Sequence, residues 1–544
     1  MTLVDVFRSS AARYPDLPAL VVDGEIQTYA ELQRASLRVA AQLSGEAGVR
    51  LHGVLGAASA AAFQGILGTL MSGAGYVPLN PAFPGSRSAY MLQASGVSVL
   101  TVDRFGVEKL DGLLAEAGRS LTLILLDAMD EEVRQWRASH PEHRFLGMQD
   151  LPDPPDNDPV DRMPATLHDS RVTVDGSDDI AYLMFTSGST GKPKGVMISH
   201  RNILSYLDAM GALYDFGPDD RFSQMFDLTF DLSLFDMFVC WGAGAALYVV
   251  PQKDRMAPAS FVRRNELTVW FSVPAVAGFM NQLKMLKPGN FPSLRVSAFC
   301  GEPLPATVTE SWQAAAPNSV VDNLYGPTEL TVACTVYRWD PETSTQYCEN
   351  GVVPIGRPYS QLEAVLVDAR LQRIAPGEAG ELCVRGPQTS LGYWQNESLT
   401  NERFVRMPWM EGEDNRWYRT GDLVRTNGNG DFIFVGRVDN QVKILGYRVE
   451  LGEIEARLRE HGRTDFAIAV PWPVKNGSAS GVVACLAGSE VPDDQVLLGC
   501  RRDLPDYMVP SRIFHFERMP LNANGKIDRN KLRELVEEMT GAAR

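Results

Sequence analysis

The sequence predicts an α/β protein: a large N-terminal domain of two parallel-sheet α/β subdomains plus a small β-barrel-like subdomain, followed by a small α+β C-terminal domain. Three observations predict it. Strand-length apolar runs alternate with helical patterns up to about Leu126 and again to about Val336, and such alternation builds parallel sheets faced by helices. From Gly356 to Phe434 the texture changes to short β-rich runs, such as LEAVLVD and GELCVRG, between Gly and Pro turns, which indicates an antiparallel sheet or barrel. The segment after FIFVGRVDNQVKILGYRVE carries strand, helix and strand patterns of its own, so the expected domains are 1–438 and 439–544. A chain of 544 residues also exceeds what one hydrophobic core supports.

In chain order, MTLVDVFRSSAARYPDLPAL has no long apolar run after a basic segment; it is a short amphipathic helix rather than a signal peptide. Ala19 to Leu43 is a strand pair turning at Asp23-Gly24 and then a helix, N-capped by Thr28 with Glu31 three residues on. Val54 to Val77 is rich in Ala and Gly but broken by Ser and Gln, which fits a buried helix plus a strand and not a membrane span. Leu151 to Asp179 is rich in Pro and Asp and is expected to be an exposed linker. Arg201 to Tyr214 is helical in pattern. The net charge of −16 argues against a general partner in nucleic acid or anionic membrane. Seven cysteines without a CxxC pair argue against a disulfide framework and a structural zinc site, and with no leader segment they point to the reducing cytoplasm.

The most informative stretch is AYLMFTSGSTGKPKGVMISH, Ala181 to His200. Two apolar strands flank a loop of Thr186, Ser187, Gly188, Ser189, Thr190, Gly191, Lys192, Pro193, Lys194 and Gly195. Glycines let the backbone come close, N–H and O–H groups cradle oxygens, and two lysines neutralise charge, so the loop suits a polyphosphate. It is not a Walker A motif, because Pro193 stands where Ser or Thr is required and no helix follows. Downstream, Asn323 and YGPTE, Tyr325 to Glu329, offer an amide for an adenine edge, an aromatic face for a purine, the Gly326 turn, the Thr328 hydroxyl and, in Glu329, a hard carboxylate suited to Mg²⁺.

TSGSTGKPKG resembles the phosphate loop of the adenylate-forming superfamily, which includes acyl-CoA synthetases, firefly luciferase and the adenylation domains of nonribosomal peptide synthetases. The resemblance implies ATP and Mg²⁺, with Thr186, Glu329 and Lys526 as catalytic residues. It places Gly301 and Glu302 of SAFCGEPLP along the adenine, Asp422 of YRTGDL on the ribose hydroxyls and Arg437 of GRVD on ribose or phosphate. It makes Asp439 the hinge of a mobile C-terminal domain, with Lys443 and Gly446 turned inward for the second half-reaction. Lys526, in PLNANGKIDRNKL, bridges substrate carboxylate and α-phosphate for the first. Gly73 to Arg87 resembles an early motif of peptide-synthetase adenylation domains, with Asn80 in place of the usual Asp; it is assigned structure and no chemistry.

Within the superfamily, FDLSLFDMF is the discriminator, since Asp231 matches the carboxylate that amino-acid activators use for the α-ammonium. The family's pocket positions fall on Asp231, Leu232, Phe235, Ser272, Ala298, Cys300, Leu324, Val332, Ala333 and Lys526. That lining is apolar with one hydroxyl and one thiol, so a charged substrate side chain would be desolvated without a partner. The expected substrate is an uncharged α-amino acid of small to medium size. Without a carrier motif after Lys526 or a condensation domain before the start, the chain is expected to load the phosphopantetheine thiol of a separate carrier protein, and some relatives also need a small MbtH-like activator. Two alternatives stay open: an acyl-CoA or aryl-CoA ligase on the same fold, and a catalytically silent adenylate-binding protein.

Overall fold

The computed structural model describes residues 1–44, 50–153, 179–188, 191–412, 415–439, 441–475, 478–521 and 527–541. Most of the linker expected at Leu151 to Asp179 lies outside these residues, as do Ser189, Thr190 and Lys526. The chain divides into two compact units. The first comprises Met1–Pro81, Tyr90–Met184 and Gly195–Val438; the second comprises Ala82–Ala89, Phe185–Lys194 and Asp439–Arg544.

Two of the sheets are the α/β layers the alternating pattern calls for. In the nine-stranded sheet, Val320–Tyr325, Val296–Phe299, Val269–Ser272, Arg221–Gln224, Ala246–Val249 and Pro18–Val22 lie side by side in parallel. Antiparallel strands close both edges: Glu25–Thr28 on one, Thr335–Arg338 and Arg357–Pro358 on the other. The eight-stranded sheet runs Gly392–Tyr393, Lys194–Ser199, Ile180–Thr186, Gly75–Leu79, Leu51–Leu55, Val99–Val102, Thr122–Leu125 and Arg144–Gly147. The last of these corrects the expected end of the alternation at Leu126, because Arg144–Gly147 adds one more parallel strand. Four residues beginning with an exposed Arg make too short an apolar run to register as a strand. The helix Ala60–Met71 is buried along nearly its whole length, which is why its sequence is apolar all round. The third sheet is antiparallel throughout, with Glu363–Val367, Gly380–Arg385, Trp417–Thr426, Phe404–Val405 and Phe432–Arg437.

Local chemistry explains the element ends. Asp23 and Gly24 both take positive φ, 52° and 90°, so the Pro18–Val22 and Glu25–Thr28 strands join through a two-residue turn. At the start of the helix Tyr29–Ser44, the Thr28 N–H donates to Glu31 Oε2 at 2.9 Å and the Glu31 N–H donates to Thr28 Oγ1 at 3.2 Å. This is the reciprocal cap read from the sequence.

The second unit is α+β. Phe466–Pro471, Val482–Ala487 and Ile513–Phe516 form a mixed sheet. The helix Leu451–Gly462 packs Ile454 and Leu458 with Ala467 and Ala469, and the helix Arg529–Thr540 packs Leu532 and Val536 with Val470 and Cys485. Within this unit Arg87 pairs with Glu453 at 2.5 Å, both side chains almost fully buried. No helix among the described residues is long and apolar enough to cross a membrane, and all seven cysteines are free thiols.

Two buried histidines give the first unit an acid limit. The His200 ring sits at the start of the helix His200–Leu213, and its Nδ1 accepts the Leu3 N–H at 3.0 Å. Burial pushes His200 and His52 each down to about 4. Both are neutral in the folded chain, whereas in the unfolded chain they take up protons below their ordinary value near 6.5. The stability they contribute is therefore complete above about pH 6.5 and is lost as pH falls toward 4, by about 3 kcal/mol for each ring. His200→Gln keeps an acceptor for Leu3 but cannot be protonated. It is expected to flatten the fall in thermal midpoint between about pH 7 and pH 5; an unchanged slope would rule out His200 as a source.

Candidate functional site

In the first unit, the parallel strands of the nine-stranded sheet present their carboxyl ends together, the place where open α/β sheets bind ligands. Ser272, Cys300 to Glu302 and Asn323 to Tyr325 stand at those ends, and Asp231 lies on the turn segment that follows Arg221–Gln224. That segment is a series of turns: the Phe230 N–H donates to Asp227 O, the Ser233 N–H to Phe230 O and the Leu234 N–H to Asp231 O. It continues into a single wide π-turn at Phe235–Val239. The Asn80 amide donates to the Asp227 carboxylate, so the departure from the usual Asp avoids setting two carboxylates against each other.

Asp231, Leu232, Phe235, Ser272, Ala298, Cys300, Leu324, Val332 and Ala333 are all buried. Phe235 packs on Phe271 with ring centroids 4.6 Å apart and touches Phe222 and Phe216. Ser272 Oγ accepts from Trp270 Nε1 at 3.0 Å and donates to Val273 O at 3.2 Å. The loop carrying Val332 is strained. Thr331 and Val332, both β-branched, have φ of 59° and 71°. Buried Gln388 clamps them, donating to Ala333 O at 2.8 Å and accepting from Thr331 Oγ1 through its own backbone carbonyl at 2.6 Å.

Tyr325, Asp422 and Arg437 converge. Asp422 and Arg437 are cross-strand partners; Arg437 Nη1 donates to Asp422 Oδ1 at 2.5 Å, and the Tyr325 hydroxyl donates to the other carboxylate oxygen. Burial first, and then the Asp422 charge, push the Tyr325 phenol well above its ordinary value. Gly326 has no room for a side chain, since a Cβ there would come 2.5 Å from the Ala333 Cα. Glu329 is fully buried and accepts the Tyr393 hydroxyl at 2.7 Å, while Thr328 beside it is half-buried. Gly301 takes φ of +97°. Glu302 accepts the Ala275 N–H at 3.0 Å and so ties down the first turn of the helix Pro274–Gln282. One N–H of the Asn323 amide donates to Pro354 O at 2.8 Å, which fixes the side chain beside strand Val320–Tyr325.

In the second unit, the glycine- and lysine-bearing loop follows strand Ile180–Thr186 and leads into strand Lys194–Ser199. The Gly191 N–H closes on Gly188 O at 3.1 Å, Lys192 is exposed, Lys194 is half-buried, and the Thr186 hydroxyl has no hydrogen-bond partner among the described residues. The Ser187 hydroxyl is corrected as a free phosphate donor: it donates to Arg448 O at 2.7 Å and accepts the Glu450 N–H at 3.1 Å. Asp439 Oδ1 accepts the Gln441 N–H at 3.2 Å. Lys443 is half-buried on Gln441–Ile444, and Leu445 and Gly446, with φ of 51° and 83°, turn that strand into Tyr447–Glu450.

A family model described as AMP-binding enzyme matches residues 7–394. The chain belongs to the AMP-binding enzymes. Its relatives include tyrocidine synthase 3 of Brevibacillus parabrevis, 34% identical over 552 residues, an alignment covering 100% of this chain and 8% of that one. Surfactin synthase subunit 2 of Bacillus subtilis (strain 168) is 33% identical over 544 residues, covering 98% and 14%. This AMP-binding chain thus spans less than a fifth of the length of either curated relative. Among solved structures, the adenylation domain AlmE of Vibrio cholerae, in complex with glycyl-adenosine-5'-phosphate, matches with TM-score 0.85 and 32% identity over 98% of this chain and 97% of that one. IdnL7 matches with TM-score 0.69 and 35% identity over 99% of each.

Gln388 and Tyr393, which hold the loop from Thr331 to Ala333 and Glu329, are not legible in the sequence. Gln388 sits 55 residues from Ala333 and Tyr393 sits 64 from Glu329, and neither carries a local pattern that marks it.

Proposed function

We propose that this chain activates an uncharged α-amino acid of small to medium size as aminoacyl-AMP, releasing pyrophosphate, and then passes it to the phosphopantetheine thiol of a carrier protein. The observation that carries this reading is Asp231, a buried carboxylate on the turn segment that follows strand Arg221–Gln224. A carboxylate held there is a partner for one cation, and an α-ammonium supplies it. The similarity to an adenylation domain whose structure holds glycyl-adenosine-5'-phosphate supports the same reaction.

Asp422, oriented by Tyr325 and Arg437, takes the ribose hydroxyls; Gly188, Gly191, Lys192 and Lys194 cradle phosphates through backbone N–H groups and charge. Tyr325 and Gly326 line the adenine side with Gly301 and Glu302. Glu329 fits Mg²⁺, offering a hard oxygen whose partner oxygen is fixed by Tyr393. The ion supplies charge neutralisation at the phosphates. Lys526, Lys443, Gly446 and Asp439 keep the roles that the family resemblance gives them, and the cytoplasm is the expected compartment. With Ser272 committed internally, the residual polarity of the lining is the Cys300 thiol, which favours an apolar or sulfur-containing side chain.

The test is pyrophosphate exchange with the full chain across proteinogenic and common nonproteinogenic amino acids, set beside fatty and aryl acids. Exchange with one or a few uncharged amino acids is the expected result. Exchange with fatty or aryl acids alone would replace this reading with the CoA-ligase one.

A further inference from the structure

Hydrogen bonds tie the strained loop at Thr331 and Val332 to Gln388, and Gln388 to the rest of the first unit. The side-chain Nε2 of Gln388 donates to Ala333 O at 2.8 Å and to Leu330 O at 3.1 Å, and stands 3.4 Å from Thr331 O. Thr331 Oγ1 donates back to the Gln388 carbonyl at 2.6 Å. The segment that carries Gln388 is itself anchored: the Asn202 amide, on the helix His200–Leu213, donates to Pro387 O at 2.7 Å and to Thr389 O at 2.9 Å. Gln388 is fully buried, and its Oε1 has no hydrogen-bond partner among the described residues. A buried acceptor left unpaired is unfavourable, so what this amide contributes comes through its nitrogen. That nitrogen holds carbonyls on both sides of Val332, in a loop where two β-branched residues have φ of 59° and 71°. Such a backbone persists only where its surroundings over-determine it.

We propose that Gln388 is a positioning residue for substrate selection: it holds Val332 and Ala333 where they line the amino-acid pocket, and so sets which side chain the pocket accepts. The inference rests on the proposed function, which takes these two residues as pocket lining. Val332 is the more sensitive of the two. Released from the clamp, its backbone can leave positive φ for the ordinary region, and its buried side chain turns with it. A pocket wall that is free to move tells apart poorly two side chains that differ by one methylene. Glu329, on the nucleotide side, is held separately. The Ser390 N–H donates to Glu329 O at 2.9 Å and the Tyr393 hydroxyl to Glu329 Oε1 at 2.7 Å, and neither bond uses the Gln388 side chain. Loss of the amide must therefore fall on the amino acid and spare ATP.

The experiment makes Gln388→Met in the full chain, which keeps the length of the side chain and removes both N–H donors. Pyrophosphate exchange is measured with Mg-ATP, the preferred amino acid and an analogue one methylene longer. The selectivity ratio in kcat/KM is expected to fall about tenfold, with KM for the preferred amino acid raised about tenfold and KM for ATP within about twofold. Thr331→Gly added to that variant relieves one of the two strained positions, because glycine adopts positive φ freely, and is expected to restore the ratio by about threefold. Asn415→Leu is the control. Asn415 is also buried and also clamps backbone, donating to Met407 O at 2.9 Å and to Met410 O, but neither is a pocket position. Its loss should lower the thermal midpoint and leave the selectivity ratio unchanged. An unchanged ratio in Gln388→Met, KM values for both substrates rising together, no recovery with Thr331→Gly, or an equal loss in Asn415→Leu overturns the inference. Should Gln388→Met not fold, Gln388→Asn, whose amide stops a methylene short of Ala333 O, carries the same test: a ratio about threefold lower is expected, and an unchanged one overturns the inference. If no amino acid supports exchange in the unsubstituted chain, the proposed function itself fails, an outcome distinct from exchange with unchanged selectivity.

Discussion

Asp231→Ala is expected to lower amino-acid-dependent pyrophosphate exchange by about two to three orders of magnitude while leaving ATP binding close to that of the unsubstituted chain. The size follows from where the carboxylate sits. Asp231 is buried, as are Leu232, Phe235 and Ala298, the apolar positions proposed to line the same pocket. An ammonium brought there without its counter-charge is a desolvated cation, and breaking one partner from a buried pair costs about 3–5 kcal/mol. In the proposed function ATP makes its contacts through other groups, so its affinity, read by titration without amino acid, reports whether the fold is intact. Asp231→Asn separates charge from shape: it keeps the volume and should lose nearly as much exchange. The variant should also close the gap between an amino acid and the same acid lacking the amine, because only the former uses Asp231. Retained exchange in Asp231→Ala would show that the ammonium is held elsewhere, and preference would then have to be traced from a different residue.

Much of this architecture is written in local pattern. The Asp23-Gly24 turn, the Thr28/Glu31 cap and the apolar helix Ala60–Met71 each follow from residues within a few positions of one another. The loop from Thr186 to Gly195 is legible for the same reason: glycine, hydroxyl and lysine cluster in ten consecutive residues. What local pattern does not carry is how a side chain's hydrogen bonds are spent. Ser187 reads as a phosphate donor until Arg448 and Glu450, more than 260 residues away, take up its hydroxyl. The Ser272 hydroxyl is likewise tied to Trp270 and Val273, and one Asn323 N–H to Pro354. The strain at Thr331 and Val332 is likewise invisible in sequence, since β-branched residues are among the last expected at positive φ.

The phosphate loop admits a sharper test through a residue with no functional group. A Cβ on Gly188 would meet the Lys192 carbonyl oxygen far inside van der Waals contact, and the atom in the way is backbone, which cannot swing aside as a side chain would. Gly188→Ala must therefore push the Lys192 carbonyl out and break the closure of the Gly191 N–H on Gly188 O. The N–H groups and the two lysines that follow would then lose their arrangement together. A donor set misplaced by about an ångström can cost a hundredfold in rate, since positioning rather than new bonding is what the cradle contributes. The expected result is a KM for Mg-ATP raised more than about tenfold and a kcat for exchange lowered about a hundredfold, with the thermal midpoint little changed. Gly428→Ala is the matched control: a Cβ there meets nothing within 4 Å, so its exchange kinetics should equal those of the unsubstituted chain. If Gly188→Ala turned over ATP as well as Gly428→Ala does, the loop would be a tight turn between two strands and nothing more, and the nucleotide's phosphates would need another cradle.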